Sequence, residues 1–397
     1  MKKFPIRVFD SSTIFYQEST FFRYYRSDLT SLSKVKLQIL ELYFYLCNSL
    51  IDIIRICLFK PIRLNNINNI LIFRTGSIGD NVVALPAINA IREHFSTAKI
   101  SILTSTGNNN YVSFENIASP LLYDQVINYS GSTLFSVRNE LKNQYDLVIE
   151  LPQFIYSIKT SVRNMLFFRF YCNIKSGFGW QVSNVNLFKN TQEGNVLYKN
   201  EVSILSSIIS KYLKINFKNI YKFNITHDDK LIVERLLDKL ICEKSSGFNV
   251  LVIGSNYSKN RWPLDNFIKI ANSSFQKNRI ISVIIGSDND NKLLEGKELP
   301  EHIVNLCGKL TIGQTTYLLS KASTVVSNDT GPMHIAAAMR AHLKTVFSCK
   351  AYPGRWFPDL VNATVYRSFN VPCSICFESH CSNNNCLQNI TIKSINI

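Results

Sequence analysis

Two short stretches bring chemically useful side chains together. In Asn328-Asp329-Thr330-Gly331-Pro332-Met333-His334 a carboxylate, a hydroxyl, a glycine and an imidazole lie close in sequence, and in Gly76-Ser77-Ile78-Gly79-Asp80 a second carboxylate closes a glycine loop. The first pattern suits an anion. Asp329 or Thr330 can cap a helix, Gly331 lets backbone approach a ligand, and Pro332 fits the first helical turn. Free backbone N–H groups there would face a diphosphate. The second pattern places Asp80 to accept a proton from a substrate hydroxyl. Both stretches also read as ordinary capped helix starts, the commoner use of Asp in such a position. For Asp80 the cap and base roles are compatible.

These residues depend on the elements around them. Residues 322–326 read as a strand and 333–339 as a helix, so the Asp329 turn lies at a strand's carboxyl end, where open α/β sheets bind ligands. Ile70-Leu71-Ile72-Phe73 is a wholly apolar run of the kind buried in parallel sheets. The glycine loop follows it, then a helix over 85–95 and a strand over 99–103. This β-loop-α-β unit lacks the three-glycine dinucleotide pattern and the Lys-Ser/Thr of a P-loop, which disfavours a nicotinamide dehydrogenase or an NTPase. A strand at 145–151, a helix at 157–168 and a turn at 176–180 continue the first series. Lys159, Arg163, Arg169 and Lys175 make that region basic.

After a polar connector at 223–229 a second series begins, with a helix at 230–240 and strands at 249–253 and 280–285. A helix from Pro263 through Ala271 and another at 312–319 lead to the Asp329 loop. The economical architecture is α/β: two Rossmann-like doubly wound domains facing across a cleft. The expected divisions are an N-terminal amphipathic, helical extension (1–67), a first domain (68–225), a second domain (226–369) and a cysteine-rich tail (370–397).

Composition sets limits on partners. The 397 residues, 46% hydrophobic, suffice for two cores. A formal charge of +16 asks for an acidic partner, and nucleic acid, anionic lipid and phosphorylated substrates all qualify. Nucleic acid fits least, because the positive charge gathers around phosphate-sized loops and not along a repeated aromatic platform.

The extension shows no secretory signal. Residues 37–59 are apolar, yet Glu41, Tyr45, Asn48, Asp52 and Arg55 recur as one polar stripe of a helix. A membrane span would bury Glu41, Asp52 and Arg55 at about 2.5–3.5 kcal/mol each. A helix lying on a membrane or packed on the protein avoids that cost. Residues 1–67 carry five Lys and five Arg against five carboxylates, a net +5, together with Phe4, Phe9, Phe15, Tyr16, Phe21, Phe22, Tyr24 and Tyr25. Such a mixture suits an anionic membrane surface.

Cys373-Ser374-Ile375-Cys376 is followed by Cys381 and Cys386. The set can hold zinc or form disulfides, but its last pair is spaced more loosely than a zinc ribbon. No metal site is assigned. His94, His227, His302 and His342 show no ligand spacing, and neither does His380.

Over about residues 68–390 the chain resembles the bacterial heptosyltransferases, glycosyltransferase family nine. The resemblance rests on Gly76-Ser77-Ile78-Gly79-Asp80 with Leu85-Pro86-Ala87, on Arg261-Trp262-Pro263, and on Asn328 through His334 with Ala336-Ala337-Ala338. Leu306-Cys307-Gly308-Lys309-Leu310 also fits. It implies a B-type glycosyltransferase fold and an inverting, metal-independent transferase needing no cofactor. Heptose or a related sugar would pass from a nucleotide-diphosphate donor, ADP-heptose first among them, to a lipopolysaccharide core or related saccharide. Asp80 would be the base, with Gly76, Ser77 and Gly79 on the acceptor side. Ser255, Lys259, Arg261, Asp329, Thr330, Gly331 and His334 would hold the donor.

A lipid-linked acceptor would place the enzyme in the cytoplasm or peripherally on the inner membrane, in contact through residues 1–67. The chain departs from the family at Asn260, where Lys is usual, leaving Lys259 or Arg261 to supply the charge. It departs again at Phe347-Ser348-Cys349, where Phe-Gly is usual. An inactive membrane-associated scaffold of the same fold and a nucleotide-sugar epimerase are the alternatives.

Overall fold

The computed structural model describes residues 7–9, 13–16, 31–62, 67–105, 112–129, 134–152, 157–182, 200–216, 218–240, 245–351, 353–358, 361–368, 371, 376, 381 and 383–395. At 7–9, 13–16, 31–38, 40, 41 and 44 it describes the backbone alone. Cys373, His380, the Glu41 side chain and the basic, aromatic opening of the chain therefore lie outside the described features. The fold divides into two compact units, one of Thr30–Asn190 with Glu201–Asn224, the other of Met1–Leu29, Thr191–Asn200 and Ile225–Ile397.

The chain starts with β1 (Arg7–Phe9) and β2 (Thr13–Tyr16), followed by helix α1 (Ser31–Leu58). The first unit then builds β3 (Asn69–Phe73), helix α2 (Ile78–His94), β4 (Lys99–Thr104), β5 (Gln125–Asn128), β6 (Leu147–Glu150) and β7 (Ser176–Phe178). These strands are parallel, in the order β5-β4-β3-β6-β7. That is the doubly wound arrangement, reversing between β3 and β6. Ile70, Leu71 and Ile72 are wholly buried, as a strand covered on both faces requires.

Helix α2 starts at Ile78, seven residues before the start expected from the sequence, with Pro86 inside it. The glycine loop, and not Pro86, sets the helix start. Twelve of its residues are buried, among them Gly79, Ala84, Ala87 and Ala90, whose small size lets neighbouring elements come close.

Helix α1 forms where the polar stripe predicts a helix, and Asn48, Asp52 and Arg55 of that stripe face the protein. Asn48 Oδ1 accepts from the Val182 N–H at 2.8 Å, and Asp52 accepts from Lys211 Nζ at 2.6 Å and from the Tyr212 hydroxyl. The Arg55 guanidinium sits 5.1 Å from the Tyr212 ring centroid. Ile51 and Phe59 anchor the helix in a core with Phe73, Phe168 and Trp180, Phe59 stacking on Trp180 at 4.8 Å.

The second unit contains β8 (Phe248–Val252), β9 (Ile281–Ile285), β10 (Ile303–Asn305), β11 (Thr324–Asn328), β12 (Leu343–Phe347) and β13 (Ala363–Ser368). Its sheet runs β10-β9-β8-β11-β12-β13 and then continues antiparallel through β2 and β1. The six parallel strands reverse order between β8 and β11. The sequence suggests only helix in the N-terminal extension, whereas Val365↔Tyr16 to Ser368↔Thr13 pair as a ladder. Strand β2 satisfies the edge groups of β13, which would otherwise be open to another chain. The Cys386–Ile395 part of the tail belongs to this unit's core, with Cys386, Leu387, Ile390 and Ile395 packed beside Trp262 and Phe267.

Candidate functional sites

The first site lies at the carboxyl end of β3. Arg74 is fully buried there. Its Nη1 donates to the carbonyls of Leu151 and Pro152 at 3.2 and 2.8 Å, while Nε and Nη2 donate to the Asp80 carbonyl at 3.1 and 2.7 Å. One side chain thus ties the loop after β3 to the chain leaving β6, across the switch point where such sheets bind ligands. Glu201 Oε1, also buried, lies 3.9 Å from Nη1 and helps to neutralise a charge that would otherwise be costly inside the protein.

Asp80 occupies the first turn of α2. Its Oδ2 accepts from the Ser77 N–H and the Ser77 hydroxyl, both at 2.8 Å, and its Oδ1 lies 3.8 Å from Arg74 Nη2 with the side chain 19% exposed. Gly76 has φ of +135°, and a Cβ there would stand 2.4 Å from the Asp80 Cβ. Only glycine lets the carboxylate fold back over the loop. One oxygen is therefore fixed by the loop and the other is left near a guanidinium and within reach of solvent. That geometry makes the cap and is chemically compatible with accepting a proton on the other oxygen.

The second site lies at the other switch point, past β8 and β11. Asn328 spans it: Nδ2 donates to the Ile253 carbonyl at 2.7 Å and Oδ1 accepts from the Trp262 N–H at 2.9 Å. Ser255 Oγ donates to the Asp329 carbonyl at 3.1 Å, and Arg261 Nε to the Ser255 carbonyl at 2.9 Å. Strand β11 includes Ser327 and Asn328, and the helix over Gly331–Ala338 starts two residues before the expected 333. Thr330 takes the N-cap position without a side-chain capping bond; Pro332 has no N–H and the Met333 N–H donates to the Thr330 carbonyl at 3.2 Å, so the groups left for other partners at this helix start are the Thr330 and Gly331 N–H. His334 is buried behind them, its ring edge-on to Trp356 with centroids 6.2 Å apart.

The two family departures meet in one hydrogen-bonded chain. Ser348 Oγ donates to Asn260 Oδ1 at 2.7 Å, and Asn260 Nδ2 donates to Asp329 Oδ2 at 3.0 Å. Burial pushes the Asp329 carboxyl up to about 7, against the pull of Lys350. The Lys350 ammonium lies 3.2 Å from the Tyr257 ring centroid, and among the described residues it forms no carboxylate ion pair. Lys350 and Tyr257 carry no motif in the sequence; only the fold brings them beside Asp329. Arg74 escapes a sequence reading for another reason, since it is the strand's last charged neighbour and not a member of the glycine motif.

Lys259 is differently engaged. It is buried, its Nζ donates to the Cys376 sulfur, and Asn384 N donates to Cys381 Sγ at 3.3 Å. A hydrogen bond from Cys349, with help from Lys259 and Arg367, brings the Cys386 thiol down to about 6 despite burial. The tail closes on the same loop through Asn384 Nδ2 to the Arg261 carbonyl at 3.2 Å and Trp262 Nε1 to the Ile390 carbonyl at 2.9 Å. Among the described residues no group of three or more His, Cys, Asp or Glu is arranged to hold a metal.

The chain is similar to known proteins in sequence and in fold. The model of glycosyltransferase family 9 (heptosyltransferase) matches residues 134–387. The lipopolysaccharide core heptosyltransferase OpsX of Haemophilus influenzae is 26% identical over 290 residues, covering 68% of this chain and 75% of that one. Among solved structures, a family 9 glycosyl transferase of Veillonella parvula aligns with a TM-score of 0.62 at 15% identity, over 83% of this chain and 94% of its own. The E. coli ADP-heptose lipopolysaccharide heptosyltransferase II aligns with a TM-score of 0.57 at 15% identity, over 82% of this chain and 96% of its own.

Proposed function

The chain belongs to glycosyltransferase family 9, the heptosyltransferases, and from that premise we propose that this glycosyltransferase moves a heptose from ADP-heptose to a saccharide of the lipopolysaccharide core. Asp80 is the base. It takes the proton of an acceptor hydroxyl, whose oxygen attacks the anomeric carbon as the bond to the diphosphate breaks on the opposite face, inverting the configuration. The observation that carries this reading is the Asp80 carboxylate, held by Ser77 at the switch point of one sheet with an oxygen left for substrate.

The leaving diphosphate gains negative charge in the transition state, so fixed donors aimed at it accelerate the reaction most. The Thr330 and Gly331 N–H groups, Ser255, and the cations Arg261 and Lys350 are suited to that task. Lys259, bound to Cys376, holds the cysteine tail against the donor loop. Asp329 and Gly331 shape the phosphate turn, and His334 packs behind it. With fixed amides and cations to stabilise the leaving group, the proposed mechanism is metal-independent. A lipid-linked acceptor places the reaction at the cytoplasmic face of the inner membrane, with residues 1–67 in contact.

The test is Asp80→Ala assayed with ADP-heptose and a purified core acceptor, alongside ADP binding by calorimetry. Transfer should vanish while ADP affinity stays within about twofold, since the base contributes a factor of about 10²–10⁴. Full activity in the variant would sink the assignment. Donor binding by the wild type with no transfer to any lipid acceptor would favour an inactive scaffold, and donor conversion without acceptor an epimerase.

A further inference from the structure

A surface helix ordinarily turns its apolar stripe to the core and its polar residues to water. Helix α1 departs from this: Cys47 and Ile51 are buried, but polar residues share the inward side with them and a second apolar face is left outside. Successive residues are about 100° apart around a helix, and on that wheel Asn48, Ile51, Asp52 and Arg55 share the arc that meets the protein. The opposite arc carries Ile39, Leu42, Leu46, Leu50, Ile53 and Ile56, exposed by 60, 56, 56, 46, 57 and 64%. This orientation is held in place by chemistry: Asp52 is bonded to Lys211 and Tyr212, and Asn48 to the Val182 N–H. The helix cannot roll to hide its apolar side without breaking those bonds inside the protein.

The surface beyond the end of α1 extends the pattern. Arg169 Nε donates to the Leu58 carbonyl at 2.7 Å, holding the Phe167–Tyr171 turn against the helix, and Phe170 in that turn is 63% exposed. Just past the helix, Lys60 N donates to the Lys175 carbonyl at 2.8 Å, and both lysines line a cavity of about 550 Å³ with Asn143, Asn173 and Tyr145. Asp146 also lines it, but its Oδ2 is taken by the N–H groups of Asn68 and Asn69, both at 2.9 Å. An apolar ridge therefore ends in an aromatic residue and a polar cavity bearing two cations.

We propose that the outer face of α1 docks this protein on an anionic lipid bilayer, the Ile and Leu side chains entering the headgroup boundary and the Lys60–Lys175 cavity receiving a lipid phosphate. The helix lies on the membrane and does not cross it: Asp52 and Arg55 sit within it, and no described helix is long and apolar enough to span. A second copy of the chain suits the face less well. A two-fold contact that runs α1 antiparallel to a second copy's α1 would set Lys60 near that helix's first turn, which carries no acidic residue, whereas anionic lipid complements the lysine. In ordinary interfacial helices the polar face supplies the cations; here that face is spent on the protein, and the domain beside the helix supplies them. The proposal rests on the transferase reading only for why a membrane is useful, since a lipid-linked acceptor would be presented there.

The experiment is flotation of the full-length protein with vesicles of phosphatidylcholine alone or of phosphatidylcholine with phosphatidylglycerol. Wild type should float with the anionic vesicles and weaken as salt rises. The double variant Leu46→Glu, Ile53→Glu should lose flotation while keeping wild-type circular dichroism and ADP affinity. Lys60→Glu should weaken binding about fivefold and flatten the salt dependence. Unchanged flotation of the double variant, or no flotation of wild type, overturns the proposal. So does a solution dimer that the double variant converts to monomer without any change in vesicle binding. Flotation with no sugar transfer would instead count against the proposed activity and leave the docking surface standing.

Discussion

The two switch points are built on the same strand order and closed by different buried side chains. Past β3 the loop is organised by one buried guanidinium, which gathers three carbonyls and leaves a carboxylate oxygen near the surface. Past β11 the organising groups are neutral: Asn328, Asn260 and Ser348 fix the turn, while the cations stand beside it. Topology selects where a ligand binds; in the function proposed above, the site closed by a buried Arg handles the proton and the site closed by a buried Asn holds the anion.

That contrast can be broken most sharply at Asp80. Asp80→Asn keeps the shape of the loop and removes the proton acceptor, so transfer should fall about 10²–10⁴-fold with melting temperature and ADP affinity nearly unchanged. Next comes Lys350→Ala, which should weaken ADP binding by about tenfold, the equivalent of ~1.4 kcal/mol, and leave adenosine binding alone. Equal loss for adenosine would mean that Lys350 supports the pocket and not the phosphates.

A smaller effect follows from Asp329, whose carboxyl burial raises to about 7. A raised carboxyl means that the folded chain holds a proton that the unfolded chain releases. Its contribution to stability is complete below the unfolded carboxylate range, about 3.9, and is lost as pH rises through 7. Above that pH the ionised carboxylate also repels a diphosphate. ADP affinity should drop several-fold between pH 6 and 8, and Asp329→Asn should flatten the profile. The smallest expected change is Ser348→Ala, which removes the buried hydrogen bond to Asn260 and the longer one from the Lys350 N–H and should cost about 1 kcal/mol in denaturant unfolding.

Much of this is legible in the sequence because buried parallel strands announce themselves as short apolar runs. Ile70–Phe73 and Asn249–Ile253 do so, and the loops after them follow. Asp80 and Asp329 are readable because glycine and proline fix loop shape locally. What escapes is set by tertiary partners. No local pattern says that Asn260 bonds Ser348, 88 positions away, or that Lys350 comes to rest on Tyr257. The stripe on α1 is plain in the sequence, but its direction is not, because Tyr212 and Lys211 decide which face turns inward. Strands β1 and β2 are hidden by brevity: three and four residues carry too little periodicity to be seen beside a long helical signal.

The pairing of β2 with β13 has a practical side. Cutting the chain at the sequence boundary near 225 would separate the edge of the larger sheet from the strand that covers it, since residues 13–16 precede the whole of the other unit in the chain. The second unit expressed alone would present a row of unpaired main-chain groups on β13 to any neighbour and would be prone to stick to itself. Supplying the first 29 residues in trans, or fusing them after residue 397, is the way to dissect this enzyme into working parts.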